Sequence, residues 1–301
     1  MNRYGLSLVI GLLLVGCGTT PAPLPPLQAQ ALRHHQRGAE LRAQGDLVPA
    51  GNNFIEAYRV YASIEDLEGS SAALLNLAAL ARLQEQYENA AAYLEQAHYL
   101  AVSQHAGTLA YEQALLSLHN GNFVAARSSA NMALGNDSKL AGAVNNLLAR
   151  ICYLQQDSVG ARRFLEAALK RLNDDADARE RSNALRLLGR LEIDAGRTAD
   201  AAASLQQALL IDKRLNLPDK LAVDLLLLAD NAHASGNWRT EIDYLRRLFV
   251  VEVNDAETTA GGEILCRLAE LVEVNGMAEE AKRLRENVEH YIELGVVPLD
   301  R

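Results

Sequence analysis

The stretch Leu185-Arg-Leu-Leu-Gly-Arg-Leu-Glu-Ile-Asp-Ala-Gly-Arg-Thr-Ala-Asp-Ala-Ala-Ala-Ser-Leu-Gln-Gln-Ala-Leu-Leu210 reads as two helices joined by a glycine. Leu185, Leu188, Gly189 and Glu192 fall at helical spacing, and Gly196 stands where a left-handed cap needs no Cβ. Ala201, Leu205, Ala208 and Leu209 then mark one small, apolar face of a second helix. Gly189 and Ala201 allow the two axes to approach closely, and Ala208 does the same toward the next unit.

The same grammar occurs seven times. A small residue (Gly38, Ala78, Ala114, Ala149, Gly189, Ala229, Ala269) precedes a turn residue by seven positions (Gly45, Glu85, Gly121, Gln156, Gly196, Gly236, Gly276). Five positions later comes alanine (Ala50, Ala90, Ala126, Ala161, Ala201, Ala281), with Glu241 as the exception. The turns are 40, 36, 35, 40, 40 and 40 residues apart. Such a period signals stacked units that bury their faces against neighbours, not one globular core.

The pattern resembles the tetratricopeptide repeat over about residues 31–294. The resemblance implies an all-α, right-handed α-solenoid of about seven helix pairs. The aromatic after the turn is present as Tyr87, Phe123 and Trp238 and replaced by Leu47, Ser158, Thr198 and Ala278. Intervals of 40 exceed the usual 34-residue repeat and imply longer helices. The charged second helix of the last unit, from Glu279 to Glu289, suits a solvent-facing end.

Ahead of the repeats, Arg3 is followed by an apolar run from Leu6 to Val15, too short to span a bilayer as a helix. It fits the core of a secretory signal. Leu14-Val15-Gly16-Cys17 resembles the lipobox of bacterial lipoproteins, in which cleavage precedes a lipidated cysteine. The resemblance implies a signal peptide over 1–16 and a lipid on Cys17. Four of the seven prolines (Pro21, Pro23, Pro25, Pro26) make 17–30 an extended linker. The solenoid is expected over 31–294 and a tail over 295–301. In the lipoprotein family aspartate after the cysteine directs the protein to the inner membrane, so with Gly18 there the resemblance implies the outer membrane, with the folded body on its periplasmic face. An ordinary signal peptide is the alternative.

The chain of 301 residues carries a formal charge of −9, which argues against a nucleic-acid partner. Cys152 and Cys266 lie three repeats apart and form no CxxC, so both are expected to be small buried residues. No HExxH, GxSxG, SxxK, GxGxxG or phosphate-loop pattern occurs. No two histidines have metal-ligand spacing on one helix face, and His34-His35 reads as surface. Asp174, Asp175 and Asp177 read as a solvated connector. No cofactor is expected.

In the tetratricopeptide family the first helices line a concave groove that takes extended peptides or partner helices. Counting from the small residue of each unit places Asn76, Arg82, Tyr111, Asn146, Arg150, Tyr153, Arg186, Arg190 and Asp230 on that lining. Its middle is basic and its C-terminal end, with Glu270 and Glu273, acidic. The alternative is that these charges pair with one another, as Arg190 with Asp194 and Asp230. The leading expectation is a non-enzymatic, lipid-anchored adaptor for an envelope protein or extended peptide, with assembly of a pilus secretin as first choice. Peptidoglycan enzymes or outer-membrane protein assembly are the runners-up. A cell-wall hydrolase is the remote alternative, with Glu112, Glu192 or Glu241 as its acid. A self-associating scaffold is a third.

Overall fold

All seven expected turn residues adopt positive φ: Gly45 (92°), Glu85 (60°), Gly121 (70°), Gln156 (62°), Gly196 (70°), Gly236 (69°) and Gly276 (83°). The computed structural model describes residues 24–172, 177–252 and 260–293. Cys17, Asp174, Asp175 and the tail 295–301 lie outside them. At each turn the backbone closes in the same way. The Gly196 N–H bonds the Ile193 carbonyl at 2.9 Å, and the Arg197 N–H reaches back to Glu192 at 2.9 Å. This double return satisfies carbonyls that a helix end leaves open. The recurrent alanine follows from the same geometry. Its N–H makes the first bond inside the second helix, as Ala201 does to the Arg197 carbonyl at 3.0 Å.

Fourteen α-helices result among the described residues. They are α1 (Pro26–Gln44), α2 (Leu47–Ser63), α3 (Leu67–Leu83), α4 (Tyr87–Tyr99), α5 (Ala106–His119), α6 (Phe123–Asn136) and α7 (Ala141–Leu154). The chain continues through α8 (Ser158–Leu169), α9 (Ala178–Asp194), α10 (Thr198–Arg214), α11 (Pro218–Ala234), α12 (Trp238–Glu252), α13 (Ala260–Val274) and α14 (Ala278–Glu293). Odd-numbered helices are the first and even-numbered the second of each pair, and no strand occurs among the described residues. The fold is an all-α solenoid of seven helix pairs. The 40-residue interval from Gly196 to Gly236 is carried by two helices of 17 residues, the 35-residue interval from Gly121 to Gln156 by two of 14.

The chain divides into two compact units, one ending at Ala73 and one beginning at Leu74, so a boundary falls inside the expected single solenoid. In the first unit α1 packs on α2. There a Cβ on Gly38 would lie 2.9 Å from the Phe54 ring, so only glycine fits unshifted. Two expectations are corrected here. Helix α1 starts at Pro26, inside the stretch expected as linker to residue 30, because proline's fixed φ and missing N–H suit a first helical position. His34 and His35 are half-buried, not surface residues. His35 packs edge-on to Phe54 at 5.4 Å, and His34 Nδ1 is 3.4 Å from Asn53 Oδ1.

In the second unit each helix from α4 to α14 packs on its neighbours in sequence, and the first helices α5, α7, α9 and α11 also touch in succession. Gly189 shows why the register is small: a Cβ there would sit 2.5 Å from Leu205 Cγ. The alanines five residues after each turn are at most 1% exposed, and Glu241 in their register is 2% exposed. Cys152 is buried, whereas Cys266 is only half-buried.

Candidate interaction surface

The first helices set polar side chains one repeat apart on a common face, and most of the charges there find partners across the repeat interface. Arg82 on α3 donates to Glu112 on α5, Nε to Oε2 at 2.9 Å. Asn146 on α7 donates to Glu180 on α9 at 3.0 Å. Tyr153 is half-buried on α7, and burial, with Asp194 on α9 nearby, pushes its phenol titration upward against the pull of Arg190. Arg267 on α13 donates to Asp230 on α11 at 2.7 Å. Asn76 is half-buried on α3. Tyr111 is half-buried, and burial, with Glu180 and Glu112 nearby, pushes its phenol titration upward.

Arg186 departs from the expected lining. It is 8% exposed, and its guanidinium bonds Asp224 on α11 at 2.6 Å, Asp212 on α10, Asn183 and Ser182. It is thus a buried link between α9, α10 and α11. Two carboxylates share this one cation, and burial pushes Asp224 up to about 6 against the pull of Arg186. The alternative pairing of Arg190 with Asp230 does not form, since Asp230 is held by Arg267. Arg150 on α7 and Arg190 on α9 are exposed and have no ion pair among the described residues. Both lie one position after the small residue of their units, where the next two units carry Asp230 and Glu270. Arg150 acts on Tyr111 and Arg190 on Tyr153, each a tyrosine of the preceding pair. The surface therefore offers two unpaired guanidiniums beside phenols, with carboxylates further along.

The three glutamates considered as acids are all buried and all bound to arginine. Glu112 holds Arg82. Glu192 on α9 accepts from Arg162 at 2.6 Å and from Arg197, and the Arg162 bond outweighs burial to draw its carboxyl below the usual range. Glu241 accepts from Arg267 at 2.7 Å, and His233 Nδ1 lies 3.0 Å from it. A general acid requires the opposite shift from that of Glu192. They sit on three separate helices, α5, α9 and α12, as residues that join units. The acidic partners Glu180, Asp212 and Asp224 escaped notice in the sequence because their spacing to Asn146 and Arg186 follows the repeat, not one helix. Glu241 could have been found, as the one break in an alanine register. Among the described residues no three His, Cys, Asp or Glu side chains gather as a metal site. No described helix is long and apolar enough to cross a membrane.

No family model matches the chain, and no curated protein matches it. Solved structures match in fold. A Pyrococcus horikoshii signal-transduction ATPase with a tetratricopeptide-repeat sensor is 17% identical, with a TM-score of 0.64 over 90% of this chain and 41% of that one. The chain thus spans about two fifths of that protein's length. The apo form of RapI gives a TM-score of 0.68 at 10% identity, over 86% of this chain and 76% of that one. Pseudomonas aeruginosa PilF gives 0.56 at 18% identity, over 74% of this chain and 92% of that one. At these identities the likeness shows the fold alone, a solenoid of the tetratricopeptide type.

Proposed function

We propose that the protein is a non-enzymatic scaffold that binds an envelope protein or an extended segment of one along its first helices. It is held by a lipid on Cys17 at the periplasmic face of the outer membrane and assists assembly of a pilus or secretion complex. The carrying observation is the pair of exposed, unpaired arginines, Arg150 and Arg190, at one register of successive first helices. Guanidinium groups beside tyrosine hydroxyls suit carboxylates, which they can grip with both donors. The apolar run ending in Leu14-Val15-Gly16-Cys17 supports the anchor, and the fold likeness to PilF supports the pilus reading.

Photoreactive residues at Arg150 and Arg190 in cells test the surface. The expected adduct is an envelope protein that Arg150→Glu with Arg190→Glu no longer captures. Equal capture by the charge-reversed chain overturns the assignment. Labelled palmitate tests the anchor: incorporation should vanish in Cys17→Ala, and a wild-type chain without label refutes it.

A further inference from the structure

The buried link between the fifth and sixth pairs holds more acceptors than its cation can satisfy. Arg186 on α9 meets Asp212 on α10 and Asp224 on α11, and Asp224 is 0% exposed. Nε gives its N–H to Asp224 Oδ1 at 2.6 Å, and Nη1 turns to Asn183 at 2.9 Å. Nη2 carries two N–H groups but faces three acceptors: Ser182 Oγ at 3.0 Å, Asp212 Oδ2, and Asp224 Oδ2 at 3.4 Å. Asp224 Oδ2 is the most distant of them. An enclosed carboxylate oxygen without a donor is costly as an anion and cheap as a hydroxyl.

The charges agree with the donor count. With both carboxylates ionised, one guanidinium leaves the enclosed group negative. Helix α12 also packs on α11, but its buried Glu241 turns to Arg267 and His233. The charged residues nearest in sequence, Lys213, Arg214, Asp219 and Lys220, are exposed. Burial, opposed by Arg186 and helped by the Asp212 charge, pushes Asp224 up to about 6. We propose that Asp224 carries a proton on Oδ2 that locks the seam between α9, α10 and α11, and that its loss loosens this seam alone. The proton makes the enclosed group neutral. Without it a net charge stays where water enters only if the helices part. Asp212 also ties the turn, since its carbonyl accepts the Leu217 N–H at 3.1 Å. Loosening therefore begins where α10 passes into α11. The joint separates the pair bearing Arg190 from the pair bearing Asp230, and it works whether or not the first helices bind a partner.

Hydrogen exchange of the full chain in detergent micelles, at pH 5 and pH 8 with each amide corrected for its intrinsic rate, reads the seam. The closed value of about 6 lies above the ordinary 3.8, so closure gains as pH falls through 6 and loses as it rises. Amides from Asp212 to Asp224 should open about tenfold more often at pH 8, while α5 and α6 keep their protection. Asp224→Asn supplies an N–H where the proton supplied an O–H, and should remove the difference. Asp212→Asn leaves Arg186 to Asp224 alone and should remove it too. In a carbon-13-labelled chain the Asp224 carboxyl should titrate near 6 in the wild type and well lower in Asp212→Asn. Equal opening at the two pH values in the wild type overturns the proposal. So does a difference retained in Asp224→Asn, a rise shared by α5 and α6, or an Asp224 carboxyl fully ionised at pH 5.

Discussion

Glu241 occupies a position where six other units carry alanine, and it remains buried because Arg267 and His233 meet it. The two halves of such a pair are not equivalent. Glu241→Ala leaves Arg267 partly exposed and still bound to Asp230, so urea unfolding should show a change below about 1 kcal/mol. Arg267→Ala strands a carboxylate that is 3% exposed, and should cost about 3 kcal/mol. Asp224 yields a prediction with a definite sign. Its folded value, about 6, lies above its ordinary 3.8, so the folded chain holds this proton more tightly than the unfolded one. Its contribution to stability therefore rises as pH falls through 6 toward 4. Asp224→Asn should flatten the wild-type curve in that window and raise stability at pH 8 by about 1–3 kcal/mol. A mutant curve parallel to wild type would count against the buried pair.

At the scale of the helix, the joint between paired helices depends on backbone conformation. Five of the seven turns use glycine, whereas Glu85 and Gln156 hold φ of 60° and 62° against the steric preference of an L-residue. Gln156→Gly should therefore raise the unfolding free energy by about 1 kcal/mol, and Gly196→Ala should lower it by a similar amount. The close approach at Gly189 is a separate constraint. Gly189→Ala directs a methyl group into Leu205 and should cost about 1–3 kcal/mol, measurable as a lower denaturation midpoint. These joints were legible beforehand, because a left-handed cap and a close helix crossing each demand particular residue types. The start of α1 was not. The prolines that argue for an extended linker also favour a helix start, and only the chain after Pro26 decides between them.

Across the whole molecule, the repeat register distinguishes structural charge from available charge. From sequence, Arg82, Arg150, Arg186 and Arg190 look alike. Their roles diverge because Glu112, Asp212 and Asp224 arrive from 26 to 38 residues away, separations that a single-helix pattern does not reveal. Which of the cations on the first helices remain unpaired was therefore not readable. In an array of neighbour contacts, damage stays local. Hydrogen exchange of the Gly189→Ala protein should lose protection in α9 to α11 well before α5 and α6. Uniform loss along the second unit would contradict a stack held by adjacent contacts.

The seven turns close through main-chain N–H and carbonyl groups, with the same bonds at every site. A joint made of backbone atoms can be copied without rewriting its surroundings. Gene duplication could therefore lengthen or shorten such a chain by whole modules, leaving each new seam to be tuned by its own few side chains.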